Sequence, residues 1–234
     1  MSDLSIIISP PASAVRRGNG RGAARPGTPE LQGVAALTRL LLRAPGAAHA
    51  GPVLITLHSE LPEGGISYID RCSGATRIQL DSGMLADLEA PELYGVLAHE
   101  VAHQVLGHST RPRPWLRAAQ CLAALAALSL PTAITFAWWW PWATLAGLAT
   151  LASLMEAAQA RQEEISADVL ACQLLNHIGA DGYAITTATL QAKAADPVWV
   201  KISSWIISRY PSRHTRLRAV ATASSLDQAV EARR

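Results

Sequence analysis

Residues 91–107 read PELYGVLAHEVAHQVLG, a segment with the sequence features of one helix. Proline fits the first turn of a helix, where its missing N–H costs nothing. The apolar residues that follow recur at close to helical spacing, and Gly107 is a typical residue just after a helix end. We therefore predict one helix over residues 91–106, with His99 and His103 one turn apart on the same face.

The stretch contains the pattern HExxH, in which the two histidines enclose Glu100. Two imidazoles on one helical face can bind one Zn²⁺ at about 2.0–2.1 Å each. Glu100 is turned by about 100° from His99, so geometry makes it a neighbour of the metal and not a ligand. A carboxylate there can take a proton from zinc-bound water. The sequence predicts a zinc site made by His99 and His103, with Glu100 as general base.

A catalytic zinc site needs a third protein ligand and an open position for water. One option is a histidine in a HExxHxxGxxH pattern. That pattern requires glycine and histidine where this chain has Leu106 and Ser109, and His108 is one position early. This option therefore fails.

The second option is the acidic cluster EEISAD at residues 163–168. On a helix, Glu164 and Asp168 share a face, whereas Glu163 lies on the neighbouring one. We predict Glu164 as the third ligand. Asp168 is predicted to orient one of the histidines, because metal ligands are normally held by hydrogen-bonding partners.

The most unusual feature of the composition is a run of 38 residues without charge, between Arg117 and Glu156. One membrane-spanning helix needs about 20 apolar residues, so the run is long enough for two. Tryptophan and proline in its middle, WWWPW at residues 138–142, are typical of a hairpin tip at a membrane–water interface. Arginines flank both ends of the run, which by the positive-inside rule places both ends in the cytoplasm. A buried hairpin in a soluble core is the alternative.

Shorter patterns predict the remaining elements. Apolar spacing predicts a helix over Leu31–Arg43, and β-rich runs over Val53–His58, Ile66–Ile69 and Arg77–Leu80 predict a small antiparallel sheet. Residues 10–29 are rich in proline, glycine, alanine and arginine without periodicity, which indicates a disordered basic arm.

Composition also excludes several classes of protein. A net charge of +2 is too small to indicate a nucleic-acid partner. The three cysteines, Cys72, Cys121 and Cys172, are scattered without a CxxC pattern, so neither a disulfide framework nor a thiolate metal site is expected. The apolar run at residues 6–8 is too short for a signal peptide.

Residues 77–109, with their HExxH, closely resemble the core of the HtpX-like membrane metallopeptidases, to which the CAAX prenyl endopeptidases are related. The resemblance implies a gluzincin site in which the glutamate of an ExxxD helix completes the zinc site, and Glu164 and Asp168 match that motif. It also implies an α+β, mostly helical fold. In this fold a small sheet lies beside a zincin-type active-site helix, and a transmembrane hairpin separates HExxH from the third-ligand helix. By fold analogy, residues 77–80 would be the edge strand that pairs with an extended substrate.

A third match is softer. Residues 210–217, YPSRHTRL, are similar to the HPxxxxRI segment of that family, with Tyr210 in place of the usual histidine. The alignment gives Arg216 the place of an arginine near the active site, with a catalytic or a structural role. His214 is an alternative for the missing histidine, although its spacing to an arginine does not fit.

The expected organisation has five parts. They are a disordered basic arm (1–29), the first half of the peptidase domain (30–114), a transmembrane helical hairpin (115–160), the second half of the domain (161–223) and a tail (224–234). We expect a multi-pass zinc metalloendopeptidase of the cell membrane, with its catalytic domain on the cytoplasmic side and membrane or unfolded proteins as substrates. The alternative is a catalytically silent zinc-binding membrane protein with a regulatory or interaction role. The expected partners are a protein or peptide substrate and the lipid bilayer, without nucleic acid.

Overall fold

A computed structural model of the chain describes residues 6–9, 29–43, 53–58, 65–69, 75–81, 90–192 and 210–231. In chain order the elements are β1 (Ile6–Ser9), α1 (Pro29–Arg43), β2 (Val53–His58), β3 (Gly65–Ile69), β4 (Thr76–Asp81), α2 (Ala90–Val105), α3 (Pro114–Phe136), α4 (Trp139–His177), α5 (Gly182–Ala192) and α6 (Arg213–Glu231). The rest of the predicted N-terminal arm, apart from β1 and Pro29, lies outside the described residues.

The four strands form one mixed sheet in the order β1-β2-β4-β3. β1 pairs with β2 and β2 pairs with β4 in parallel, while β3 pairs with β4 antiparallel. The expectation of an antiparallel sheet is therefore wrong for two of the three pairings. Alternating residues predict that a strand forms, but its direction depends on the connections between strands, which the alternation does not encode.

The strand over residues 77–80 was expected at the edge of the sheet, and this is also wrong. It belongs to β4, which lies between β2 and β3. Among the described strands, β3 is the outer one on that side. Ser67 of β3 donates a hydrogen bond of 3.2 Å to the backbone oxygen of Glu100, so β3 is the strand that adjoins the HExxH helix.

The hydrophobic core is formed where the sheet meets the helices. Leu41 of α1, Ile55 of β2, Leu80 of β4, Leu97 of α2 and Leu175 of α4 are all buried within one cluster. Burying each of these side chains contributes about 1.5–3 kcal/mol relative to leaving it in water. Apolar residues of the HExxH helix therefore hold it against the core. Its two histidines lie at the surface of the core.

Helix α2 ends as its sequence predicts. Gly107 has a φ of 67°, the left-handed conformation that favours glycine. Its N–H bonds to the backbone oxygen of Gln104, and the N–H of His108 bonds to that of His103. This pair of bonds is the Schellman motif, which turns the chain back on the last helical turn. The turn brings His108 beside His103.

The described chain divides into two compact units, one of which includes Arg111–Glu164. The other contains the sheet, α1, α2, α5, α6 and the part of α4 from Ile165 onwards. Helix α4 runs through residue 160 without a break, whereas two separate helices were expected. Hydropathy changes near Glu156, but no glycine or proline lies there to end a helix.

Two further expectations about the ends of the chain are wrong. Ile6–Ser9 was included in the disordered arm, but it pairs with β2 as strand β1. Residues 224–231 were expected to form a tail, but they continue helix α6 to Glu231. Neither segment is long or periodic enough for its sequence to identify it as part of a larger element.

In the unit that includes Arg111–Glu164, α3 and α4 are joined by Ala137 and Trp138 and linked by charge. Arg113 lies 2.8 Å from Glu156 and 3.5 Å from Glu163, and both carboxylates are buried. A buried carboxylate is tolerated only when it is paired. These ion pairs therefore connect the start of α3 with two positions of α4 that lie about two helical turns apart.

Helix α3 is the one described helix that is long and apolar enough to cross a membrane. Only 17% of its most apolar 18-residue stretch is buried, whereas the core helix of a soluble protein would be mostly buried. The second predicted span, which is part of α4, does not meet the same criterion.

Gly95 of α2 is packed so closely against α5 that a larger residue has no room. A Cβ added at Gly95 would lie 1.9 Å from Oγ1 and 2.9 Å from Cβ of Thr189. We predict that Gly95→Ala lowers the free energy of unfolding by about 1–3 kcal/mol, because the two helices must move apart. The measurement is denaturant unfolding of the purified protein.

Gly33→Ala in α1 is the matched control. A Cβ there meets nothing within 4 Å, so alanine should be neutral or should stabilise by up to about 1 kcal/mol. Equal effects of the two substitutions would contradict the prediction.

Candidate metal centre

The two histidines of the HExxH helix point their outer nitrogens at one another. Nε2 of His99 and Nε2 of His103 lie 3.1 Å apart, and both side chains are half-buried. Two nitrogens that bind one tetrahedral Zn²⁺ at about 2.05 Å are separated by about 3.3 Å. The observed separation therefore fits a shared metal ion.

Glu164 lies near the two histidines, as the sequence predicts. One ligand atom from each of His99, His103 and Glu164 lies within 4.8 Å of the others. Two imidazole nitrogens and a carboxylate oxygen are the donor set of catalytic zinc sites that keep a fourth position open. Glu163, the neighbouring carboxylate, is instead engaged with Arg113.

Asp168 contacts the ring nitrogen of His99 that does not face His103. Its Oδ1 lies 2.9 Å from Nδ1 of His99, while Arg216 binds both of its carboxylate oxygens at 2.5 and 2.7 Å. This contact makes Nδ1 the protonated nitrogen of His99, so the lone pair of Nε2 is available to a metal. Asp168 thus stands where the sequence places an orienting carboxylate.

The charge of this carboxylate is kept by its partners. Burial on its own would raise the pKa of Asp168, but hydrogen bonds and positive charge from Arg216 and His99 outweigh burial and lower the pKa from 3.8 to about 2. Asp168 is therefore ionised throughout the neutral range, and it can orient His99 under any condition in which the histidine is a metal ligand.

The three residues of the third sequence match, Tyr210, His214 and Arg216, have different surroundings in the structure. Arg216, near the start of α6, is buried and forms the bidentate pair with Asp168. Tyr210 and His214 are both exposed. The guanidinium of Arg216 thus acts on the site through Asp168 and His99.

His108 was rejected as a ligand, and its role beside the site was not predicted. It is buried, and its Nδ1 lies 2.8 Å from Nδ1 of His103. Gly107 is the residue from which this contact could have been predicted. A Schellman turn places the residue after its glycine against the third-last residue of the helix, here His103.

An HExxH helix whose histidines converge with a glutamate of a second helix defines a metallopeptidase of the zincin class. The sequence model of peptidase family M48 matches residues 72–224, more than half of the chain, and all the residues of the site fall in that range. The protein therefore belongs to peptidase family M48, whose members are zinc metallopeptidases. No curated protein and no solved structure gives a match.

The pair of Asp168 and Arg216 gives a prediction about stability. Replacing Arg216 by methionine leaves the buried carboxylate without its cation, so the free energy of unfolding should fall by about 3 kcal/mol or more. Arg218→Met, in the same helix but exposed, should change it by less than about 0.5 kcal/mol. Thermal or denaturant unfolding of the metal-free protein measures both, and similar losses for the two variants would contradict the assignment.

Proposed function

We propose that this protein is a zinc-dependent metalloendopeptidase of the HtpX-like type, bound to a membrane, that hydrolyses peptide bonds of membrane or unfolded proteins. The observation that carries the proposal is that one ligand atom from each of His99, His103 and Glu164 lies within 4.8 Å of the others, while Glu100 directly follows His99 in the same helix. A structural zinc site needs four protein ligands and has no use for a base next to the metal.

Each residue then has a separate task. His99, His103 and Glu164 would hold the ion, and a bound Zn²⁺ would polarise the scissile carbonyl and lower the pKa of a water molecule to about 7. Glu100 takes the proton of that water and delivers it to the nitrogen of the leaving amine. Asp168 keeps the ring of His99 oriented throughout the reaction.

The substrate would bind as an extended strand along β3. An outer strand offers backbone groups that a peptide can pair with, and the bond from Ser67 to the backbone of Glu100 brings β3 next to the base. A peptide carrying a photoreactive group should therefore become attached within Gly65–Ile69. Attachment to other strands instead would contradict this mode of binding.

Glu100→Gln tests the chemistry. The amide cannot accept a proton, so cleavage of an unfolded model protein in detergent should fall by about 100- to 10,000-fold, while zinc content stays at the wild-type level. Zinc is measured by elemental analysis and cleavage by the appearance of new amino termini.

Glu92→Gln is the control for Glu100→Gln, because Glu92 lies in the first turn of the same helix. This variant should retain both zinc and activity. Full activity of Glu100→Gln would contradict the assignment of the base. Loss of zinc from Glu100→Gln would mean that Glu100 is needed to hold the metal.

The exposed surface of α3 supports the membrane location. Leu128 is 77% exposed, and Ile134 and Phe136 are exposed as well. From Arg117 to Phe136 the helix advances 19 residues, about 29 Å, which matches the thickness of the hydrocarbon core of a bilayer. Arginine at one end and tryptophan at the other are typical of the two interfaces, and the arginine end would lie in the cytoplasm.

The uncharged run also has hydroxyl groups that are suited to lipid. It contains six hydroxyl side chains, and each donates to a backbone oxygen three or four residues earlier in its own helix. They are Ser129, Thr132, Thr135, Thr144, Thr150 and Ser153. A hydroxyl satisfied within its helix needs no water, which is the requirement for a side chain in hydrocarbon.

The buried residues of α3 are the alanines 119, 126 and 133, and small residues of this kind let membrane helices approach closely.

Leu128→Arg tests the location. Leu128 lies near the middle of the proposed span, where an arginine costs about 2.5–3.5 kcal/mol of insertion free energy. The fraction of the protein that stays with membranes after an alkaline wash should fall.

Leu40→Arg, at an exposed leucine of α1, should leave that fraction unchanged. A wild-type protein that the wash releases completely would instead be a soluble peptidase.

A further inference from the structure

His108 occupies a position that no part of the proposed reaction uses. It is buried, with 6% of its surface exposed, and it is the third residue after the end of the HExxH helix. Its Nδ1 lies 2.8 Å from Nδ1 of His103, and its Nε2 lies 3.5 Å from Oγ of Ser166. The side chains at the corresponding positions of a Schellman turn usually make an apolar contact. Here two imidazoles take its place.

The direction of this hydrogen bond follows from the metal site. Nε2 of His103 faces Nε2 of His99, where it would give its lone pair to the metal. A neutral imidazole that uses one nitrogen in this way carries its proton on the other. Nδ1 of His103 is then the donor, so Nδ1 of His108 must accept and the proton of His108 resides on Nε2, towards Ser166.

We propose that His108 is a positioning residue that fixes the tautomer and ring orientation of His103 for metal binding. The inference rests on the proposed zinc site. It assigns the two histidine ligands different supports: the carboxylate of Asp168 behind His99 and a neutral imidazole behind His103. Partners of this kind typically change metal affinity by about 10- to 100-fold when they are removed.

Two substitutions separate the hydrogen bond from packing. His108→Leu fills a similar volume without an acceptor, whereas His108→Asn keeps an oxygen bonded to Cγ, where Nδ1 of histidine is attached. In the full-length protein in detergent, stripped of metal, the zinc dissociation constant is measured by competition with a chromophoric chelator. His108→Leu should raise it by about 10- to 100-fold, and His108→Asn should restore most of the affinity. His177→Leu, at an exposed histidine in the last turn of α4, should leave it unchanged.

A measurement on the wild type covers the case in which a variant fails to fold. Nitrogen-15 spectra of the zinc-bound protein should show His103 protonated at Nδ1 and His108 protonated at Nε2. A proton on Nδ1 of His108 would overturn the proposal. Wild-type affinity in His108→Leu, or an equal loss in the leucine and asparagine variants, would do the same.

These outcomes differ from failure of the proposed function. A protein that binds zinc but does not cleave would leave the role of His108 intact, since the readout is affinity and tautomer. A wild-type chain that binds no zinc would overturn both proposals together.

Discussion

The ion pair between Asp168 and Arg216 is the interaction on which the arrangement of the site depends. It joins α4 to α6, and through Nδ1 of His99 it reaches α2, so one buried carboxylate connects three helices that are far apart in sequence. Both charged side chains are buried, and neither would be stable there without the other. The pair therefore determines where the first histidine points and holds the elements that surround it.

The second histidine is held in a different way. His103 depends on a turn of its own helix, because the left-handed conformation of Gly107 brings His108 back against it. The support of His99 is long-range and charged, while the support of His103 is local and neutral. Changes in the packing of α6 should therefore affect the first ligand, and changes in the turn after α2 should affect the second.

The sequence predicted well what depends on local patterns. The HExxH helix, the presence of strands β2, β3 and β4, and the position of Glu164 and Asp168 on one face of a helix all follow from spacing along the chain. The predictions were wrong for features that depend on contacts between distant residues, and for helix boundaries that no glycine or proline marks. Strand direction and the edge position of β3 depend on connections, and the unbroken α4 passes through a change in hydropathy that was read as a boundary. The sequence likewise does not indicate the partner of Arg216, because 48 residues separate Arg216 from Asp168.

The acidic residues of α4 divide their work by position on the helix. Glu156 and Glu163 lie seven residues apart, or two turns, and so face the same side, where Arg113 binds both. Glu164 is turned by about 100° from Glu163 and lies with His99 and His103. One more turn brings Asp168 to the same face as Glu164, behind the ring of His99. Because all four carboxylates lie on one continuous helix, their spacing directs Glu156 and Glu163 to Arg113 and directs Glu164 and Asp168 to the metal site. A break in the helix between residues 156 and 164 would leave the orientation of one pair independent of the other. The arrangement of the site therefore depends on the continuity of α4.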